Sequence, residues 1–349
     1  MFVQHFERLR PLCPYCRVVR QLESPLRIGH IAREENGEIL EGALLCTQLL
    51  CQREHPIIDG IPVLVADPSS WAATQLNSVL CRDDLTPFTL SLLGDLSGHG
   101  SNFDHERGNN GIYAHSHWSQ NEASYMGLFE AASQLLATPP QGMWLDIGAS
   151  VGRGTFELAA ATGDLAVGID LNFSMLRIAQ RIRRTGRIRY SLRRVGLAFD
   201  VHDYSIAAKL SEQVSFWCAD VALLPFADAT FAGVLCMNML DCVQSPLGLL
   251  LEMGRVTAPG SESILCTPFD WAAGATAPAA WIGGHSQRSP HEGSSLLELR
   301  RILSVASEAG VETGLHIEAE ADKVKWRLRT HERSVTEYDV YLARLRHKG

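Results

Sequence analysis

The chain has 349 residues, more than one domain's usual length, and its 46% hydrophobic content is ample for a large core. A formal net charge of -8 disfavours nonspecific attraction to nucleic acid, and no run approaches the roughly 18 uninterrupted apolar residues of a spanning helix. The opening Met1-Phe2-Val3-Gln4-His5-Phe6-Glu7-Arg8 does not read as a signal peptide, so the expected compartment is the cytoplasm, with no membrane partner.

Cysteines come first in chain order. Cys13-Pro14-Tyr15-Cys16 and Cys46-x4-Cys51 are two close pairs about 30 residues apart, the ligand spacing of a tetrahedral Zn2+ ribbon. A closed site of this kind supplies folding energy to a domain of some 60 residues. Cys81, Cys218, Cys236, Cys242 and Cys266 lie mostly in apolar stretches and read as small core residues. A disulfide framework does not suit a cytosolic chain. His55 is a further candidate ligand, although its place favours the start of the next strand. The segment His55-Pro56-Ile57-Ile58-Asp59-Gly60-Ile61-Pro62-Val63-Leu64 resembles the Tyr-Pro-Ile-x-Asp-Gly-Ile-Pro segment of Trm112-like zinc-binding domains. The resemblance covers residues 10 to 66. It implies a ribbon domain over 1–67, of a kind that activates RNA and protein methyltransferases or is fused to them, and that offers a surface for a protein partner or a homo-oligomer.

Residues 68–140 read as a linker and a helical lid. Asp67-Pro68-Ser69-Ser70 marks the boundary, and the glycine-rich stretch from Gly94 through Gly108-Asn109-Asn110-Gly111 predicts a mobile loop. Tyr113, His115, His117 and Trp118 follow, then a helix over 122–136. The aromatics are placed to fold over a ligand, while His105, His115 and His117 lack the fixed offsets of a metal site and read as solvated loop residues.

The most informative run is Trp144-Leu145-Asp146-Ile147-Gly148-Ala149-Ser150-Val151-Gly152-Arg153-Gly154, an apolar strand joined to a helix through a glycine turn that holds a carboxylate. A second apolar strand, 165–169, ends in Asp170, where an acid can accept hydrogen bonds from a ribose diol. The glycine spacing is wrong for the Gly-x-Gly-x-x-Gly of NAD sites. Further strands follow at Phe216-Trp217-Cys218-Ala219-Asp220-Val221, at 232–237 and at 263–267, with a helix over 246–255. With Asp146 ahead of its glycines, the turn resembles motif I of class I S-adenosylmethionine-dependent methyltransferases, and residues 143 to 268 resemble that family's whole binding half.

The resemblance implies an α/β fold, a Rossmann-like seven-stranded mostly parallel sheet over 141–349, with S-adenosyl-L-methionine as cofactor. It implies cofactor contacts from Asp146, Gly148, Ala149 and Gly152, from Asp170 and Leu171, from Asp220 and Val221 at the adenine, and from Asn238. Ser261 stands where the family usually has a second glycine after Pro259-Gly260.

Between the second and third strands, the stretch from Arg177 to Arg194 holds eight arginines, with Arg177, Arg181 and Arg184 at helical spacing. A solvated or partner-pairing face is the first reading, and a phosphate-contacting face the second. The methyl acceptor is expected beyond the fourth and fifth strands, near Asn238, Asp241, Asp270, Trp271, Trp281 and His285. Asp241 and His285 are the candidate bases. The C-terminal part predicts a helix over 296–309 and closing strands at 316–320, 323–330 and 338–346, with Trp326 and Tyr338 in the pocket or merely packed. The function expected from these features is methyl transfer to a small molecule or peptide-derived metabolite. Two alternatives remain: tRNA or rRNA methylation using the ribbon and the arginines, and a noncatalytic cofactor-binding scaffold.

Overall fold

The computed structural model describes residues 1–68, 70–71, 91, 95, 97–206, 212–306 and 308–349. The chain opens with helices α1 (Val3–Leu9) and α2 (Pro14–Arg20) and strands β1 (Leu26–Glu35), β2 (Glu38–Cys46), β3 (Glu54–Ile58) and β4 (Ile61–Leu64). Pro14 occupies the first turn of α2, where its missing N–H costs nothing. Asp59-Gly60 turns β3 into β4 with φ of 51° and 79°, the left-handed pair that a two-residue hairpin turn requires.

Helices α3 (Asn102–Trp118) and α4 (Ser124–Leu135) follow, then β5 (Trp144–Ile147), α5 (Arg153–Thr162), β6 (Ala166–Asp170) and α6 (Phe173–Thr185). A hairpin, β7 (Arg187–Val195) and β8 (Ala198–Ser205), precedes β9 (Val214–Ala219), β10 (Gly233–Met237), α7 (Pro246–Val256) and β11 (Glu262–Thr267). The chain closes with α8 (Ser295–Ile302), β12 (Leu315–His331) and β13 (Ser334–His347). Every residue of β5, β6, β9, β10 and β11 is buried, as parallel strands covered on both faces must be.

The expected seven strands stand in the order β9-β6-β5-β10-β11-β13-β12. Neighbours from β9 to β11 are parallel, and β13 runs antiparallel to both β11 and β12. Chain order reverses direction between β5 and β10, which puts a ligand crevice beyond their carboxyl ends. The C-terminal helix ends at Ile302, short of the expected residue 309. The two short strands expected over 316–330 are one strand, broken by bulges at 317/319 and 321/324.

The sheet does not stop at β9. Strand β4 pairs with it in parallel register, Val63 opposite Cys218 and Leu64 opposite Ala219, so the N-terminal strands extend the sheet to eleven. Side chains strengthen the seam. Arg177 Nε donates to Asp59 Oδ2 at 2.8 Å, Gln180 donates to Glu38 at 2.7 Å, and the buried Arg183 guanidinium also donates to Glu38. Arg17 donates to the Leu224 carbonyl and pairs with Glu252 at 3.5 Å. The arginines of α6 thus face acids of the N-terminal strands, with Arg184 near Glu35 at 3.4 Å. In the hairpin, Arg187, Arg193 and Arg194 pair with Asp203, Asp104 and Asp200. The partner-pairing reading describes this face, and the partner is the chain itself.

Two sequence expectations are corrected here. Residues 102–111 are helix rather than loop, because the glycines serve close packing. A Cβ on Gly111 would lie 2.0 Å from the Ser191 carbonyl oxygen of β7. Gly111→Ala is therefore expected to cost about 1–3 kcal/mol by forcing α3 off the hairpin, read as a lower denaturation midpoint at unchanged slope; an unchanged midpoint contradicts this packing. Nor are His115 and His117 solvated: they are 8% and 4% exposed on the inner side of α3, while His105 is exposed as expected. Of the core-type cysteines, Cys218, Cys236 and Cys266 are buried in β9, β10 and β11, Cys242 is exposed, and Cys81 lies outside the described residues.

Candidate functional site

Three carboxylates stand at the ends of adjacent strands: Asp146 on β5, Asp170 on β6 and Asp220 just beyond β9. Between them runs the glycine turn, Gly148 at φ 75° and Gly152 at φ 86°. Non-glycine residues held at positive φ mark the neighbouring strand ends, Ser150 after β5, Asn238 after β10 and Phe269 after β11. Such backbone strain persists only where surrounding structure enforces it, and it clusters at functional sites.

Asp170 fixes the turn: Oδ2 accepts from the Ser150 N–H at 2.9 Å and Oδ1 from the Asn172 N–H at 2.8 Å. Each oxygen keeps a further lone pair for a ligand hydroxyl. Asp146 is 2% exposed and accepts the hydroxyl of Thr155, in the first turn of α5, at 2.7 Å. Burial, with the nearby Asp170 charge, pushes its pKa up to about 7. The third glycine, Gly154, exists for this packing, since a Cβ there would meet the Tyr125 hydroxyl at 2.4 Å and Asp146 Oδ2 at 2.9 Å. Gly148 faces Met239, whose Cγ and Sδ lie 2.2 and 2.3 Å from where a Cβ would sit. Asp220 caps its own short turn through the Ala222 N–H at 2.9 Å, and Val221 is buried beside it. Leu171 is exposed at the rim, its carbonyl within 3.7 Å of the Cys218 thiol. Asn238 accepts the Cys266 thiol at 2.9 Å.

Helix α3 lies over this turn. Trp118 Nε1 donates to the Val151 carbonyl at 2.9 Å, and the Arg153 guanidinium packs on the Trp118 ring. His117 stacks on Tyr125 with ring centroids 4.0 Å apart, and burial pulls its pKa down to about 3. Thr155, Tyr125 and Met239 were not singled out in the sequence. The glycine at 154 was the available signal for the first two, because it follows Gly152 at the spacing of a close approach.

A second cluster gathers Cys13, Cys16, Cys46 and Cys51, whose sulfurs all lie within 4.8 Å of one another. Cys16 and Cys46 are 3.6 Å apart and Cys13 and Cys51 4.0 Å, close to the ~3.8 Å between ligands of a tetrahedral site with Zn–S near 2.3 Å. No disulfide joins them. His55, fully buried on β3, lies outside the four with Nε2 3.7 Å from Cys13 Sγ.

Residues 145–265, from β5 to β11, match the family model described as a methyltransferase domain. This segment has the methyltransferase fold. Norajmaline N-methyltransferase of Rauvolfia serpentina is 31% identical over 126 residues, 36% of this chain and 35% of that enzyme, so the chain spans about a third of that relative's length. Among solved structures, a complex of the Haloferax volcanii Trm112 methyltransferase activator shares 14% identity at a TM-score of 0.43, covering 77% of this chain and 100% of that one. The [4+2]-cyclase SpnF shares 17% at 0.41, covering 66% and 82%.

Beyond β10 and β11 stand the two candidate bases, Asp241 and His285. Asp241 is 1% exposed, and its Oδ2 accepts the Asp270 N–H at 2.6 Å, while its carbonyl accepts the Ala272 N–H at 3.1 Å. Burial raises its pKa. His285 is exposed and lines a depression of about 470 Å³ with Ser245, Trp281, Ile282 and Glu298, to which Asp241 does not contribute. Trp271 and Trp281 stack on each other at 5.9 Å, and Trp271 Nε1 donates to Ser295.

Proposed function

We propose that the chain transfers the methyl group of S-adenosylmethionine to a small-molecule acceptor. The observation that carries this reading is the switch-point crevice, where a strained glycine turn, three strand-end carboxylates and the amino end of α5 converge. Gly148, Ala149 and Gly152 supply close backbone approach, Asp170 and Leu171 meet the ribose side, and Asp220 and Val221 meet the adenine side. Asn238 and Asp146 face the amino-acid end. Bound there, the cofactor supplies an electrophilic methyl group on a sulfonium. The protein's part is to fix the acceptor in line with it and exclude water. Asp241, clamped to the loop after β11, positions that loop.

The small-molecule acceptor is supported by the net charge of -8 and by the pairing of the α6 arginines with Asp59, Glu38 and Glu35, which commits those charges within the chain. The likeness to norajmaline N-methyltransferase agrees with it. Cys13, Cys16, Cys46 and Cys51 hold a structural Zn2+, with His55 hydrogen-bonded to Cys13 from outside the ligand set. The N-terminal unit is a Trm112-like ribbon that uses its sheet edge, through β4, on its own methyltransferase segment.

The test is transfer of labelled methyl groups from S-adenosylmethionine to a cell extract, separated into small-molecule, protein and RNA fractions with and without ribonuclease. Label in small molecules, lost with Asp146→Ala, is the expected result. Label confined to ribonuclease-sensitive material, or to no fraction at all, overturns it.

A further inference from the structure

The segment between β11 and α8 is held as a wall. Thr276 Oγ1 donates to the Val243 carbonyl at 2.5 Å, and the Thr276 carbonyl accepts Trp281 Nε1 at 2.9 Å. Trp281 stacks on Trp271 at 5.9 Å and 16° from parallel, and Trp271 Nε1 donates to Ser295 at the start of α8. Gly283 and Gly284, at φ 74° and 76°, turn the chain back against that helix, where a Cβ on Gly283 would lie 2.8 Å from the Ser295 Cα. The Trp281 ring is thus fixed through its N–H edge and one face, so a ligand on its other face pays little to order it. The wall begins at the crevice: Asp241 and Val243, which accept from Ala272 and Thr276, closely follow Met239, the side chain packed on Gly148.

What the wall encloses is the depression of about 470 Å³, within the range of about 300–1,000 Å³ of small-molecule sites. Leu247 of α7, Ile302 of α8 and Ile282 line it with Trp281. Among its described lining residues Glu298 is the only fixed charge. That carboxylate pairs through Oε2 with Arg301 at 2.8 Å, and its Oε1 is buried, so it presents little charge to a ligand. His285 Nδ1 lies 3.4 Å from the Gly283 carbonyl, and with Nδ1 as the donor the ring keeps Nε2 as an acceptor.

We infer that this depression holds the body of the methyl acceptor, and that the body is a neutral, flat ring system carrying a hydroxyl or N–H that donates to His285. This rests on the methyl-transfer reading above. A ring laid on Trp281 among Leu247, Ile282 and Ile302 gains by burying apolar surface and by offset stacking. An ionised ligand of the same shape gives up its hydration there and meets no free counter-charge, so it binds more weakly.

The test is calorimetric titration of the full chain, first with S-adenosylhomocysteine and then, at saturation, with naphthol, naphthoate and N-methylquinolinium. Naphthol is expected to bind at least about tenfold more tightly than either ion. Ala280→Leu fills the depression from an exposed lining position, and Trp281→Ala removes its ring wall. Each should weaken naphthol binding about tenfold at unchanged S-adenosylhomocysteine affinity, which also reports that the variant has folded. Ala280→Leu should also lower labelled-methyl transfer to the small-molecule fraction about tenfold. Equal affinity for the three probes, or unchanged naphthol affinity in both folded variants, overturns the ligand assignment and leaves methyl transfer standing. Undiminished transfer by Ala280→Leu overturns the acceptor role of the depression. Failure of the unmodified chain to bind S-adenosylhomocysteine overturns the transfer reading, and the acceptor role with it.

Discussion

Replacing Cys13 and Cys16 together by serine is expected to abolish metal binding and unfold the N-terminal strands. A structural zinc contributes apparent binding free energies of roughly 10–16 kcal/mol in small zinc-binding peptides at neutral pH, comparable to the whole stability of an ordinary domain, about 5–15 kcal/mol. The four sulfurs sit at ligand separation, and Cys13 and Cys16 are fully buried. Without a metal, burial drives the Cys13 thiol above its ordinary pKa, so the site holds crowded neutral thiols in place of bonded thiolates. The damage should travel. Loss of β4 bares the edge of β9 at Cys218 and Ala219, loss of β2 leaves the buried Arg183 without Glu38, and breaking a buried ion pair costs about 3–5 kcal/mol. The expected outcome is about one zinc per chain in the parent protein by elemental analysis and none in the double variant. Unfolding should show a single transition shifted far down, with an aggregation-prone product. A double variant that is metal-free and normally folded refutes the site.

The same seam shows where sequence reading stops. The order of strand, glycine turn and acid from Asp146 to Asp220 was legible because each element carries its own local constraint: a fully apolar run, glycines at positive φ, a carboxylate at a strand end. The paired cysteines were legible from their spacing alone. What joins them was not, because the pairing of Val63 with Cys218 spans more than 150 residues and leaves no periodic trace. The α6 arginines were visible as a charge stripe, but their acids lie far away in sequence, at Glu35, Glu38 and Asp59. Gly108 and Gly111 misled for a related reason. Glycine marks a turn and marks a close helix approach equally well, and only the tertiary neighbour, Ser191, decides between them. Tyr113, Trp326 and Tyr338 are brought together only by the folding of α3 against the closing strands, which no local pattern announces.

Asp146→Asn is expected to make the ligand-free protein more stable at alkaline pH while weakening its hold on the cofactor. Burial lifts the Asp146 carboxyl from 3.8 to about 7 in the folded chain, which corresponds to roughly 4 kcal/mol against its ionised form, at about 1.4 kcal/mol per pH unit. Below pH 3.8 the group is protonated in both folded and unfolded chains and contributes no penalty. Between there and about pH 7 the unfolded chain ionises first, so stability falls as pH rises, and above pH 7 the full penalty is present. Asparagine keeps an acceptor for the Thr155 hydroxyl but never ionises. Unfolding free energies of parent and variant from urea titration should therefore nearly coincide near pH 4.5 and separate by about 2–4 kcal/mol near pH 8.5, with the variant the more stable. Cofactor binding should move the other way. If the ionised carboxylate receives the ammonium of the cofactor, S-adenosylhomocysteine affinity of the parent rises as pH passes through 7, and the variant binds at least about tenfold more weakly with that rise removed. A residue whose charge is costly to the empty fold and useful to the filled one is expected where strain is kept for function. Equal stability gaps at both pH values would show that Asp146 serves packing alone.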